Sequence, residues 1–323
     1  MPRSDALWLS PNFMRSIRKL FHCFCPFVAA ASLLPHSAAS AQNRPQTVAY
    51  QFSHAAIMDP TLSPDGKEMI YIMVIAGREQ LMRRAVDGSY VRQITNDNAN
   101  HEDPAWSPDG SHVAFVLIKD GLEQIHLMNP DGTAIEPLTP ADVKTIHPSW
   151  SHDGRRVAYC TDDDLAPPRK NPSEVYSIDI ATHSISKLIS DGVNTYPVWS
   201  PDGKRMAFRR MLGETNSEVF LAEADGSNPR NITNNPAFDG WPAWSPDGSM
   251  IAFASNRGNQ NYQIYTMHPD GTDVRLVAAT EGRGTAPKWA PDGKTIYFTI
   301  CGKSAFSTDC QIYAAKLDAY SER

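Results

Sequence analysis

Short apolar runs of β-favouring residues alternate along the chain with polar turns that contain Pro, Asp and Gly. In one unit, Val113-Ala114-Phe115-Val116-Leu117 follows the turn Ser107-Pro108-Asp109-Gly110, and Ile251-Ala252-Phe253 occupies the same place in a later unit. A third apolar run such as Gln263-Ile264-Tyr265-Thr266-Met267, a second turn and a fourth short run complete the unit. This pattern predicts antiparallel strands joined by hairpins.

The unit, marked by x-Pro-x-Trp-Ser-Pro-Asp-Gly or a close variant, occurs six times. The motif glycines are Gly66, Gly110, Gly154, Gly203, Gly248 and Gly293, at steps of 44, 44, 49, 45 and 45 residues. A near-constant period of about 45 residues with four strands per period is typical of a radial repeat. The sequence therefore predicts an all-β fold, a six-bladed β-propeller with four-stranded blades.

The last unit offers only three strands of its own before the chain ends. Thr47-Val48-Ala49-Tyr50 precedes the first unit and has no other partner. We expect this N-terminal segment to supply the missing strand of the last blade and so to close the ring, because an unclosed ring would leave two exposed sheet edges.

The repeated turn and tryptophan residues are interpreted as architecture. Pro, Asp and Gly suit a tight turn, and no Asp-Gly turn has the ligand spacing of an EF-hand calcium loop. Five tryptophans occupy equivalent places, which favours packing between neighbouring blades over a single binding site: Trp106, Trp150, Trp199, Trp244 and Trp289.

The first residues resemble a processing signal. Arg15, Arg18 and Lys19 precede an apolar stretch, and Ala39-Ser40-Ala41 forms a small-residue cleavage site. We expect a signal peptide at 1–41 and a propeller at 42–323, in a periplasmic or secreted protein. For an exported chain we also expect Cys301 and Cys310, which flank a loop of the last blade, to form a disulfide, and Cys160 to be a buried free thiol.

Charge narrows the classes of partner. The full chain carries a formal charge of −6, and loss of four basic residues and one acidic residue with the signal makes the mature chain about −9. An acidic surface argues against nucleic acid and anionic membranes as partners. After the signal, no apolar run is long enough for membrane insertion. We expect a monomer.

The two halves of the repeat, Trp-Ser-Pro-Asp-Gly and Gln-Ile-Tyr-x-Met-x-x-Asp-Gly, resemble the propeller of the TolB-like repeat proteins. The resemblance runs from about residue 47 to residue 318 and implies the fold, but the same repeat accompanies several functions. The resemblance does not include the α/β domain that precedes the TolB propeller, so an interaction attributed to that domain is not carried over. No Gly-x-Ser-x-Gly turn is present, which removes a peptidase interpretation.

Candidate ligand-binding residues lie in loops that we expect around the channel mouth, where the units differ most. They are His54, Asp59, His101, Glu102, Asp103, His147, Tyr196, Asp239, Trp241 and Arg257. Trp241 stands out because it adds an aromatic side chain before its own motif tryptophan.

The favoured function is a scaffold in the cell envelope that binds a protein or glycan, with no catalytic residues assigned and no required cofactor. The alternative is a metal-assisted carbohydrate-active enzyme, similar to TolB-like oligogalacturonide lyases. In that alternative His54, His101 and His147, completed by Glu102 or Asp103, would bind a divalent metal, since imidazole and carboxylate groups are suitable ligands. Exposed loop histidines are the simpler interpretation.

Overall fold

The computed structural model describes residues 56–161, 172–213, 215–258, 261–302 and 309–317, together with the backbone of 47–50. The predicted signal at 1–41 lies outside these residues. Every regular element in the described part of the chain is a β-strand. None of the described segments forms a helix with the length and apolar character needed to cross a membrane.

Twenty-four strands form six antiparallel sheets. The first three sheets are β2 (Ile57–Leu62), β3 (Glu68–Ile75), β4 (Arg78–Ala85) and β5 (Val91–Gln93); β6 (Asn100–Trp106), β7 (Val113–Lys119), β8 (Leu122–Met128) and β9 (Glu136–Pro137); and β10 (Ile146–Trp150), β11 (Arg156–Cys160), β12 (Val175–Asp179) and β13 (Ile185–Ile189). The next two are β14 (Val193–Trp199), β15 (Arg205–Met211), β16 (Ser217–Glu223) and β17 (Arg230–Asn231); and β18 (Asp239–Trp244), β19 (Ile251–Ser255), β20 (Gln263–Met267) and β21 (Arg275–Ala278).

The sixth sheet contains β22 (Arg283–Trp289), β23 (Thr295–Cys301) and β24 (Gln311–Lys316), with β1 (Thr47–Tyr50) outside β24. The register places Val48 opposite Ala314 and Tyr50 opposite Ile312. The first strand of each blade contacts its counterparts in both neighbouring blades, in the order β2, β6, β10, β14, β18, β22 and back to β2. The prediction of a six-bladed propeller is therefore confirmed.

In the first five blades, the same hydrogen-bonded turn joins the first and second strands, whereas blade 6 has Ala290 in place of the motif serine. In blade 2 the Ser107 hydroxyl donates to Asp109 Oδ1 over 2.6 Å, and the backbone N–H of His112 donates to Ser107 Oγ over 2.9 Å. Gly110 has a φ of +74°, a conformation that L-residues with a side chain rarely adopt. The Ser, Asp and Gly of the motif are thus explained by the turn itself.

The innermost strand of every blade contains a β-bulge at its X-Pro step. The residue before the proline has a positive φ in each case: Asp59 (49°), Asp103 (50°), His147 (54°), Tyr196 (54°), Trp241 (53°) and Ala286 (50°). Positive φ is uncommon for residues other than glycine, and a bulge redirects the side chain it carries. We call these six positions the bulge ring.

Aromatic residues form the core of each blade. Five residues after each motif glycine, the second strand buries a large ring: Tyr71, Phe115, Tyr159, Phe208, Phe253 and Phe298. Between blades, Trp150 Nε1 donates to the Ala105 carbonyl over 2.9 Å and Trp289 Nε1 donates to the Ala243 carbonyl over 3.2 Å. In these blades the motif tryptophan therefore adds a hydrogen bond across the blade boundary to the packing of its ring.

The structure contains the disulfide that the sequence predicts. Cys301 at the end of β23 and Cys310 before β24 are joined by an S–S bond of 2.03 Å, and both are fully buried. The remaining described cysteine, Cys160, is a buried free thiol. The disulfide ties the loop between the last two strands to the packed interior of blade 6.

Candidate functional site

A cavity of about 340 Å³ lies between the innermost strands of all six blades, on the axis of the ring. Its wall contains the complete bulge ring: Asp59, Asp103, His147, Tyr196, Trp241 and Ala286. The repeat keeps the backbone of this ring constant while its side chains differ from blade to blade. The cavity is therefore the place where a repetitive fold presents a non-repetitive surface.

Blades 1 and 2 make one side of the cavity acidic. Asp59, Glu79, Glu102 and Asp103 line it, whereas Lys288 is the sole lysine or arginine among its lining residues. The lining thus carries a formal charge of −3. A surface of this sign attracts cationic groups and repels polyanions.

Blades 4 and 5 make the opposite side aromatic. Tyr196 and Trp241 lie 5.5 Å apart between ring centroids, and the guanidinium of Arg209 lies over both rings at 4.8 Å and 5.7 Å. Arg209 is only 2% exposed, and its Nε donates to Thr195 Oγ1 over 2.8 Å. Because Arg209 is held in this way, cation–π contacts keep the two rings in place before any ligand arrives.

His147 stands between the acidic and aromatic sides. Its ring stacks on Tyr196 with a centroid separation of 3.7 Å, and its Nε2 lies 3.7 Å from Asp103 Oδ2. On the other side of the ring, Nδ1 lies 3.2 Å from the sulfur of Cys160. His147 is therefore contacted through the ring face and through both nitrogens.

Lys288 lies where this cavity meets a second one of about 280 Å³, which opens toward the motif tryptophans. Its side chain can be reached by water inside the channel, although protein surrounds the channel on all sides. Desolvation by that protein lowers the pKa of the Lys288 amine, while the carboxylates of Asp59 and Asp103 act in the opposite direction. Lys288 thus places a basic group beneath the acidic side.

Asp239 and Arg257 form a separate buried pair. Arg257 Nη2 donates to Asp239 Oδ2 over 2.6 Å, and Asp239 is fully buried. Burial raises the pKa of the Asp239 carboxyl, and the contacts with Ser255 and Arg257 oppose this effect. The pair joins β18 to the turn after β19 and does not line the axial cavity.

Comparison with models of protein families identifies the family to which these repeats belong. The sequence model of the TolB beta propeller domain matches residues 40–168 and 144–322, and so covers most of the chain. The chain belongs to the TolB beta-propeller family.

Solved structures show the same fold at low identity. A TolB-type protein from Agrobacterium tumefaciens is 22% identical with a TM-score of 0.63, over 82% of this chain and 91% of that one. TolB from Acinetobacter baumannii is 18% identical with a TM-score of 0.60, over 81% of this chain and 63% of that one. An oligogalacturonate lyase in complex with manganese is 14% identical with a TM-score of 0.57, over 85% and 98%. A comparison with curated protein sequences found no match.

The TolB-family propeller brings six of the ten predicted ligand-binding residues to one cavity: Asp59, Glu102, Asp103, His147, Tyr196 and Trp241. His101, Asp239 and Arg257 are not among the residues that line it. His54 lies outside the described residues.

The bulge explains why two of these residues are buried and do not line the cavity. His101 and Asp239 each lie two residues before the bulge position of their blades. The residue at this place is buried in every blade: Ile57, His101, Thr145, Asn194, Asp239 and Gly284. Counted from the bulge, His101 and His147 are therefore not equivalent, although both precede a motif of the repeat.

In the described part of the chain, no three His, Cys, Asp or Glu side chains are placed to hold a metal ion, and His54 of the predicted metal set lies outside it. His101 is fully buried and stacks on Phe115 with ring centroids 5.5 Å apart. Burial lowers the pKa of His101, in spite of the nearby Asp97 carboxylate.

Lys288 and Glu79 also line the cavity, although neither is among the ligand-binding residues predicted from the sequence. Lys288 had a detectable signal, because the residue after the motif proline is Thr61, Ala105, Ser149, Val198 or Ala243 in the other five blades. One long basic side chain among small residues at an equivalent position marks a departure from the repeat. Glu79 lies on β4 and reaches the cavity from outside the innermost strand, so no pattern within the motif identifies it.

Proposed function

We propose that this TolB-family propeller is an exported binding scaffold of the cell envelope, periplasmic or secreted, that engages a protein or glycan at the axial cavity. The observation that carries the proposal is the bulge ring. All six blades share its positive-φ backbone, so the bulge itself is architectural, but its side chains change from Asp to His, Tyr, Trp and Ala. Variation of side chains on a constant backbone around one cavity is typical of recognition.

The size and charge of the cavity narrow the ligand. About 340 Å³ is near the lower end of the roughly 300–1,000 Å³ typical of ligand pockets, so it suits a side chain, a chain end or a single sugar. The formal charge of −3 on the lining disfavours acidic oligosaccharides. We therefore propose that the group entering the cavity is neutral or basic.

The alternative of a metal-assisted carbohydrate-active enzyme has less support. The manganese-bound oligogalacturonate lyase shares the fold, at an identity too low to transfer chemistry. The acidic lining also opposes the polyanionic substrate such an activity would need. We keep this alternative as an outcome of the experiment below.

The experiment compares the mature chain with two aspartate variants. Asp103→Asn removes a charge from the cavity, whereas Asp273→Asn makes the same change at an exposed turn where Asp273 pairs with Arg275. The two residues have similar φ values of 50° and 55°, and asparagine tolerates both. Immobilised proteins are exposed to envelope extract and to an array of neutral, basic and acidic glycans.

We expect saturable capture by the wild type, at least tenfold weaker for Asp103→Asn and unchanged for Asp273→Asn. Adding Trp241→Ala to Asp103→Asn should weaken capture further. Equal capture by the wild type and all variants would show that the ligand does not bind in the axial cavity. Cleavage of acidic oligosaccharides that stops on chelation would replace it with the enzyme alternative.

A further inference from the structure

We propose that Cys160 is a positioning residue for His147, and that its thiol holds the imidazole in the tautomer that carries its proton on Nε2. The inference depends on the proposed function only in that His147 is taken as a residue of the binding cavity. The buried thiol thereby determines that His147 presents a hydrogen-bond donor, Nε2–H, to the cavity.

The strand pairing brings the two residues together. Cys160 ends β11 and lies opposite Ile146, the residue before His147 on β10. The bulge at His147–Pro148 turns the imidazole so that Nδ1 lies 3.2 Å from the Cys160 sulfur, within the range of a sulfur hydrogen bond. Cys160 is fully buried and His147 is 5% exposed, so the thiol lies behind the ring as seen from the cavity.

Cys160 and Asp103 favour the same tautomer of the ring. A thiol that donates to Nδ1 requires that nitrogen to be unprotonated, which leaves the proton on Nε2. Asp103 Oδ2 lies 3.7 Å from Nε2, and a negative carboxylate favours an N–H there over a lone pair. The stack on Tyr196 at 3.7 Å fixes the plane of the ring, so the N–H direction is fixed as well.

The carbonyl of Ile146 competes with His147 for the thiol proton. The Ile146 carbonyl lies 3.8 Å from Cys160 Sγ, near the limit for a sulfur donor. If the thiol donated to that carbonyl, the sulfur would accept a hydrogen bond from Nδ1–H, and the Nε2 lone pair would face Asp103. The repulsion between that lone pair and the carboxylate disfavours this arrangement, and the Nδ1 contact is 0.6 Å shorter.

The arrangement differs from a nucleophilic Cys–His–Asp set, although the residue types match. A thiol nucleophile must reach its substrate, and the ring of His147 separates Cys160 from the cavity. The chain of contacts instead presents a hydrogen-bond donor, Nε2–H, beside an acceptor, Asp103. A ligand group at this point is expected to accept from His147 or to donate to Asp103, and a hydroxyl or an amide can do both.

The test is nitrogen-15 NMR of the imidazole rings in the full mature chain at neutral pH, without any ligand. We expect the His147 Nε2 shift of a protonated nitrogen and the Nδ1 shift of an unprotonated one. A protonated Nδ1 in the wild type would overturn the proposal directly. Because no ligand is used, this outcome is independent of whether the cavity binds a partner.

Variants at Cys160 show whether the thiol causes the tautomer. Cys160→Val removes the donor while keeping an apolar side chain, and we expect the two His147 nitrogen shifts to move toward each other. Cys160→Ser retains a donor and should restore the separation, whereas the shifts of His126 should remain unchanged in both. Wild-type His147 shifts in a folded Cys160→Val variant would show that Asp103 alone sets the tautomer. If Cys160→Val fails to fold, Asp103→Asn tests the other half of the chain of contacts, and the wild-type spectrum still decides the tautomer.

Discussion

Two tryptophans at equivalent places in neighbouring blades should respond differently to the same substitution. Trp150 Nε1 donates to the Ala105 carbonyl of the preceding blade over 2.9 Å. Trp106 Nε1 is buried and finds no acceptor among the described residues. Both side chains are half-buried, so replacement by phenylalanine removes a similar apolar area from each.

The difference between the two variants isolates the hydrogen bond. Trp150→Phe loses a bond worth about 0.5–1.5 kcal/mol net. Trp106→Phe removes a buried N–H without a partner, a group that costs about 1–3 kcal/mol to bury. Arg83 lies 5.7 Å from the Trp106 ring. Weakening this cation–π contact in Trp106→Phe costs up to about 1 kcal/mol, which offsets part of the stability gained by removing the unpaired N–H. We expect Trp150→Phe to be less stable than Trp106→Phe by about 2 kcal/mol, roughly a 30-fold difference in the folding constant.

Equilibrium urea unfolding followed by circular dichroism measures both free energies without relying on tryptophan fluorescence. Equal losses of stability in the two variants would refute the reasoning, because the blade contact would then depend on ring area alone. A larger loss at Trp106 would refute it as well.

Three further predictions concern stability. Five motif-turn aspartates have lowered pKa values: Asp65, Asp109, Asp153, Asp202 and Asp247. The hydrogen bond from Ser107 lowers the pKa of Asp109 to about 2, so stability present above pH 3.8 should be lost as the pH falls through the folded value. Urea midpoints at pH 5 and pH 2.5 that agree would contradict this. Burial lowers the pKa of His101 from 6.5, so the unfolded chain binds the proton more readily and stability should fall as the pH drops below 6.5. His101→Leu should flatten this dependence between pH 7 and pH 5, and an unchanged slope would exclude His101 as its source. Replacing Cys301 and Cys310 by alanine opens a loop with a sequence separation of 9 and should cost about 2.5 kcal/mol in unfolding free energy, whereas an unchanged melting temperature would show that the loop is held by other contacts.

The sequence predicts the blades because each depends on local chemistry. Ser107, Asp109 and Gly110 form their turn with hydrogen bonds that span five residues or fewer, and the apolar run that follows is short, continuous and rich in β-favouring residues, as is typical of a buried strand. The spacing of the motif then determines the number of blades. Cys301 and Cys310 were predictable for a similar reason, since they flank one loop.

The site was only partly predictable because the bulge changes which side chains face the axis. His101 and His147 lie at different distances from the motif proline, and the register of β6 and β10 shows the consequence: His147 occupies the bulge and His101 the buried place two residues before it. Glu79 reaches the cavity from β4, and Cys160 reaches His147 across a strand pair. No sequence motif identifies contacts of this kind between strands.

Closure of the six blades into one ring around the cavity requires β1 to complete the last blade. Cross-linking between β1 and β24 tests it most directly, because the register places Val48 opposite Ala314. In the Val48→Cys/Ala314→Cys variant, opposite residues of paired strands are close enough for a disulfide. We predict an intrachain cross-link in the monomer on mild oxidation, and little with Val48→Cys/Lys316→Cys, which is two residues out of register. Free thiols at positions 48 and 314, or cross-links only between chains, would contradict the closed ring.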